Sequence, residues 1–210
     1  MSSNFIKYLA LGDSYTIGEG VDEDQSFPVQ LAYRLNLSGV KTANPLIIAK
    51  TGWTAGELLT AVRSVAIPAE FDFVTLLIGV NNQYRGLPFD EYRNDFEELL
   101  KISINLVPAA SDVVVISIPD YSVTPFAVDL DVKKIALEID AYNDYNRRTA
   151  LQYGAEYVDI TTGTRNAANN ITFLTFDTLH PSGIAYSNWV AKIFSCLRYR
   201  ASSGNIVNFD

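Results

Sequence analysis

Four short blocks of this sequence carry residue types that could act together in nucleophilic chemistry. The first is Gly12-Asp13-Ser14-Tyr15, which follows an apolar run and puts a serine where the chain turns out of a strand. A serine hydroxyl attacks only when a positioned base removes its proton, and imidazole is the usual base because it titrates near neutrality. The chain has one histidine, His180, in Asp177-Thr178-Leu179-His180-Pro181-Ser182. Asp177, three residues upstream, could hold one ring nitrogen protonated and leave the other free to accept the serine proton. Acyl transfer also needs donors aimed at the oxygen that becomes negative. Gly79-Val80-Asn81-Asn82 offers a carboxamide, and Thr51-Gly52-Trp53 offers a backbone N–H that no side chain shields.

Taken singly, each residue has a structural explanation. A serine after a strand is a common helix N-cap, a lone histidine is usually structural, and Asn81, Asn82 and Gly52 suit tight turns. Asp13, a carboxylate beside a tight turn, is read as bonding nearby backbone donors rather than as a base. Gly-x-Ser-x-Gly is excluded because position 16 is Thr16.

Strands must bring these blocks together, and five apolar runs are candidates, at residues 8–11, 46–49, 73–78, 113–118 and 157–160. A strand buried on both faces loses the alternating pattern, so continuous runs closed by turn residues are the signal. Helical patterns lie between them. Residues 89–106 place Tyr92, Phe96, Leu99, Ser103 and Leu106 on one stripe, with Glu97 and Lys101 as an i,i+4 pair. Thr54 and Glu57 have capping-box spacing. Residues 131–153 put Ile135, Ile139 and Tyr142 inward before Gly154, and residues 182–200 stack Ala185, Trp189, Ile193 and Cys196, read as core. Residues 121–129 and 161–176 read as long loops. The alternation is that of an α/β domain, in which ligands collect at the carboxyl ends of the strands.

The order of the four blocks resembles the SGNH hydrolases, also called the GDSL family of lipases and esterases: Ser14 in GDSY, Gly52 in KTGWT, Asn81 in GVNN, and His180 with Asp177 in DTLHPS. The resemblance implies a flavodoxin-like three-layer α/β/α sandwich with a five-stranded parallel sheet. It implies Ser14 as nucleophile, His180 as base and then acid, and Asp177 as the group orienting it. The backbone N–H groups of Ser14 and Gly52 and the side chain of Asn81 would form the oxyanion hole, with no cofactor or metal. Two positions depart from the family's pattern: Tyr15 replaces leucine, and Asn82 stands where aspartate usually follows, leaving open which amide points inward. Tyr15, Trp53 and Tyr84 follow the catalytic blocks and could either form an aromatic rim that binds substrate or pack between strand ends.

Composition narrows the setting. At 210 residues and 48% hydrophobic, the chain suits one domain spanning residues 1–210 with one sizeable core. With 16 Lys+Arg against 24 Asp+Glu, the net charge of -8 would repel nucleic acid. Its single cysteine, Cys196, permits no intramolecular disulfide, and one Cys with one His cannot build a structural zinc site. No apolar run approaches a membrane span, and the expected setting is cytoplasmic. The expected activity is hydrolysis of a small carboxylic ester with a short acyl group, because 210 residues leave little material for a lid. Lysophospholipids and acyl thioesters are alternatives on the same framework, and a non-catalytic carbohydrate- or partner-binding protein is the rival reading. A nucleotide-binding module is disfavoured, since Gly18-Glu19-Gly20 meets Glu23 where a third glycine is needed.

Overall fold

The computed structural model describes residues 5–68, 70–166, 168 and 170–201, with side chains up to Leu197. Residues 1–4, at the start of the chain, on which the cytoplasmic expectation partly rests, lie outside the described residues. Five strands, β1 (Tyr8–Gly12), β2 (Leu46–Ala49), β3 (Phe73–Leu77), β4 (Val113–Ile116) and β5 (Glu156–Val158), form one sheet. Their order is β2-β1-β3-β4-β5 and every pairing is parallel. β1, β3 and β4 are buried along their whole length, which is why they read as unbroken apolar runs rather than alternating ones.

The helices are α1 (Ser14–Ile17), α2 (Phe27–Leu37), α3 (Ala55–Ser64), α4 (Val80–Tyr84), α5 (Phe89–Asn105), α6 (Val132–Gln152), α7 (Thr161–Asn166) and α8 (Gly183–Ala201). The chain steps from β1 to the β2 edge and then back across to β3. Right-handed crossovers therefore put α2 on one face of the sheet and α3, α5 and α6 on the other. Contacts agree: α8 packs on α2, α3 on α5, and α5 on α6, giving the three-layer architecture expected from the sequence. The reversal makes the carboxyl ends of β1 and β3 a switch point, where the two faces' connections diverge and leave a crevice.

The expected helix faces are in place. Tyr92, Phe96, Leu99 and Ser103 are buried along α5, Ile135, Ile139 and Tyr142 along α6, and Ala185, Trp189 and Ile193 along α8, where Cys196 packs partly buried against the core. Lys101 meets Glu97 at 2.8 Å. The Thr54–Glu57 capping box forms in both directions, so two otherwise orphaned donors at the start of α3 are satisfied. Gly154 follows the end of α6 with φ +78°.

Two expectations are corrected. β4 stops at Ile116 rather than reaching residue 118, because side chains replace the ladder beyond it: Ser117 Oγ accepts the N–H of Ile160 (2.8 Å) and Thr161 (3.1 Å), and the Asn143 carboxamide takes both backbone groups of Ile118. The same bonds end β5 at Val158. The segment expected as a loop from residue 161 begins with helix α7, which has no apolar period but is held by Ser117 and by Asp159 Oδ1, the acceptor of Thr162 N–H at 3.2 Å.

Candidate active site

Ser14 stands at the first position of α1, two residues beyond the end of β1. The N-cap is Asp13, whose Oδ1 accepts the N–H of Tyr15 at 3.0 Å. Ser14 is thus not the cap, and its hydroxyl has no hydrogen-bond partner among the described residues. Its N–H lies in the first turn, where the helix itself provides no acceptor. Asp13 is fully buried, and burial pushes its carboxyl up to about 7 against the lowering pull of the backbone N–H of Tyr15. One of its oxygens, Oδ2, is buried without a partner.

Residues 173–182 form a tight hairpin-like loop that leads into α8. It is closed by Thr175 N–H to His180 O (2.8 Å) and Ser182 N–H to Phe173 O (2.9 Å). Inside it, Asp177 accepts four hydrogen bonds: Oδ1 from the Thr175 hydroxyl (2.7 Å), Leu179 N–H (2.9 Å) and His180 N–H (2.9 Å), and Oδ2 from His180 Nδ1 (2.6 Å). Burial pushes this carboxyl up, but the four donors outweigh it and hold it well below the usual carboxylate range. An ionised carboxylate can only accept, so Nδ1 of His180 carries a proton, and in the neutral tautomer the lone pair is on Nε2. The turn is strained at Thr178, a β-branched residue with φ +62°. The Tyr15 ring lies 5.6 Å from the His180 ring, centroid to centroid, which brings the turn bearing Ser14 beside the histidine loop.

Gly52 occupies the third position of a turn closed by Trp53 N–H to Lys50 O (3.2 Å), and its φ of +83° is the value a type II turn demands there. Gly79 has φ +128°, and a Cβ on it would lie 2.7 Å from Tyr92 Cε2, so only glycine lets α4 start so close to α5. On α4, Asn81 is half-buried and its Nδ2 donates to Trp53 O at 3.0 Å. This uses one of the two carboxamide N–H groups. Asn82 is buried and points elsewhere: its Oδ1 accepts the N–H of Ala55 (2.8 Å), the first residue of α3. An amide oxygen supplies that acceptor as a carboxylate would.

The three aromatic residues have different surroundings. Tyr15 is buried between His180 and Trp189. Trp53 is half-buried against the core. Tyr84 is 54% exposed and forms a cluster with Tyr121 and Phe126, at ring distances of 6.1 and 6.2 Å. Beside the histidine loop lies an apolar cavity of about 210 Å³, walled by Tyr15, Tyr121, Ile160, Leu179, Pro181 and Trp189. Its rim is fixed by Asp120, buried and paired with Arg165 at 2.8 Å. Sequence reasoning did not identify Thr175, Asp120 or Tyr121, because their roles rest on partners distant in the chain or on one loop's three-dimensional shape.

Among the described residues no helix is long and apolar enough to cross a membrane. No curated protein sequence matches significantly. Solved structures share the fold at low identity. A lipolytic protein of the G-D-S-L family from Veillonella parvula is 13% identical, with 90% of this chain and 97% of that chain covered and a TM-score of 0.72. An acetylxylan esterase from Geobacillus stearothermophilus is 16% identical, with 91% and 94% covered and a TM-score of 0.71. A psychrotrophic esterase from a Pseudoalteromonas species is 15% identical, with 93% and 98% covered and a TM-score of 0.69. The model of the GDSL-like lipase/acylhydrolase family matches residues 10–187, so this chain belongs to that family and is a carboxylic ester hydrolase.

Proposed function

We propose that the enzyme cleaves small carboxylic esters through an acyl-enzyme on Ser14, with His180 and Asp177 completing the triad. The observation that carries this reading is the 2.6 Å bond between Asp177 and His180 Nδ1, in a loop whose histidine ring packs beside Tyr15, the residue next to Ser14. His180 Nε2 takes the Ser14 hydroxyl proton as Oγ attacks the ester carbonyl. The tetrahedral oxyanion is met by the N–H of Ser14, the N–H of Gly52 and the remaining N–H of Asn81 Nδ2. His180 then returns the proton to the departing alcohol, and water repeats the sequence to release the acid. Asp177 stays ionised throughout, since its four donors stabilise the charge.

The cavity is the proposed acyl pocket. A dry engineered cavity of about 150 Å³ binds benzene, a six-carbon ligand, so 210 Å³ scales to an acyl chain of roughly eight carbons at most. Tyr84 and Phe126, exposed and packed on Tyr121 at the cavity wall, offer apolar faces to the alcohol portion. A sugar face would fit there, and the likeness to an acetylxylan esterase favours an acetylated sugar among the candidates. The test is hydrolysis of p-nitrophenyl esters of increasing acyl length by wild type and Ser14→Ala. The reading predicts a Ser14-dependent rate that collapses beyond about eight carbons. A rate still rising at twelve carbons would overturn the pocket assignment, and a rate surviving in Ser14→Ala would overturn the nucleophile.

A further inference from the structure

Arg85 closes α4, and its side chain folds back over the turn that carries Gly52. The guanidinium Nη2 donates to Gly52 O, and Nη1 lies 3.4 Å from the Glu57 carboxylate. Glu57 in turn accepts the N–H of Thr54 at 2.8 Å in the capping box. Two other α4 residues hold the same short segment: Asn81 Nδ2 donates to Trp53 O, and Asn82 Oδ1 accepts from Ala55 N–H. Asn81 and Arg85 are four apart, so they share one helix face. Side chains of one short helix thus grip backbone groups of residues 52, 53 and 55.

The turn needs such a grip at one point above all. Glycine has the widest backbone freedom of any residue, and Gly52 sits at φ +83°, in an open position where, among the described residues and apart from its chain neighbours, an added Cβ would have Arg85 Nη2 alone within 4 Å, at 3.6 Å. The peptide after Gly52 is tied on its N–H side by the turn bond from Trp53 N–H to Lys50 O. Its carbonyl is held by Arg85, and a fixed carbonyl limits the rotation about the adjoining bonds that would carry the N–H away from the oxyanion.

We infer that Arg85 is a positioning residue for the oxyanion hole, locking Gly52 so that its N–H and the Asn81 amide face the reacting oxygen as one unit. This rests on the acyl-transfer reading above. Arg85 and Glu57 are both exposed, and exposed ion pairs contribute little to stability, so Arg85 variants should fold.

The experiment compares Arg85→Met and Arg85→Lys with wild type, by kcat and KM on a neutral short-chain p-nitrophenyl ester and by thermal melting, with Ser14→Ala as the control for the reading itself. Loss of an oxyanion donor outright typically lowers kcat about 10²- to 10³-fold, and a loosened donor falls below that. The expected result for Arg85→Met is a fall of about 10- to 50-fold in kcat, with KM within threefold, an unchanged melting temperature, and partial recovery in Arg85→Lys. A second expected signature is non-additivity: in an Asn81→Ala background, Arg85→Met should cost clearly less than in wild type, because the hole is already broken. A kcat within twofold of wild type overturns the inference. So does a loss that appears only in KM, or one that is absent on the neutral ester and seen only with a comparison ester carrying a negative charge in its alcohol portion, which would make Arg85 a reader of substrate charge. If Ser14→Ala keeps the wild-type rate, the acyl-enzyme reading fails independently of Arg85.

Discussion

Replacing Asp13 by Asn should change how stability depends on pH more than any other single substitution near the site. Asp13 is fully buried, its carboxylate is met by the backbone N–H of Tyr15 and by its own, and Oδ2 has no hydrogen-bond partner among the described residues, so the ionised form has little to replace the water it lost. Burial accordingly raises the carboxyl from 3.8 to about 7. The folded state then binds a proton more tightly than the unfolded chain. The stability this confers is fully present below about pH 4 and is lost as pH rises through about 7. A shift of about three pKa steps corresponds to roughly 4 kcal/mol, at about 1.4 kcal/mol for each, as an order of magnitude. Asn has the shape of the neutral acid, keeps the Oδ1 acceptor for Tyr15 and cannot ionise. Urea denaturation of both proteins from pH 4 to 8, at constant m-value, should show wild type losing about 4 kcal/mol more than Asp13→Asn, with the variant the more stable protein at pH 8. Asp177 has the opposite sign: its depressed carboxyl stabilises the fold above the usual carboxylate range and that contribution is lost as pH falls through and below it, outside the window of interest. Parallel curves for wild type and variant would refute the argument that Asp13 is held neutral by burial.

Three further outcomes follow from the geometry. Asn81→Ala should lower kcat by about 10²- to 10³-fold without unfolding the protein, while Asn82→Asp, which keeps the acceptor for Ala55 N–H, should stay within a few-fold; steady-state kinetics on one short ester checks both. Ala185→Leu adds three carbons at the cavity wall and should move the longest acyl chain accepted from about eight carbons to about five, read from the p-nitrophenyl ester series. Thr175→Val removes one of the three donors on Asp177 Oδ1 and should cost about 1 to 3 kcal/mol of stability at neutral pH, with the cost shrinking as the pH falls and Asp177 is protonated, measured by urea denaturation.

The sequence made the sheet legible because β1, β3 and β4 are buried on both faces, so their composition alone marks them. α5 and the start of α3 were legible for a similar reason: a stripe of Tyr92, Phe96 and Leu99, and a reciprocal Thr54–Glu57 cap, are local patterns with local causes. The strand ends were not, since the partners that end β4, Asn143 for Ile118 and the N–H groups of Ile160 and Thr161 for Ser117, lie about 25 to 45 residues away in sequence. α7 was missed because Thr161-Thr162-Gly163-Thr164 has no apolar period and is fixed by tertiary hydrogen bonds. At the site, Asp177 beside His180 could be foreseen from spacing. That Asn81 and Asn82 serve different partners could not, because adjacent residues on a short helix point in directions that only the position of α3 decides. Thr178 at positive φ carries no sequence signal; the loop closure around Asp177 imposes it.

The central claim is that Ser14 is an activated nucleophile, and the most direct measurement is mass spectrometry after exposure to a serine-directed alkyl phosphonate. The account predicts stoichiometric addition of one phosphonyl group, located on the peptide carrying Ser14, lost in Ser14→Ala and slowed at least a hundredfold in His180→Ala. Wild-type protein that stays unlabelled while correctly folded, or a label that persists in Ser14→Ala, would contradict it.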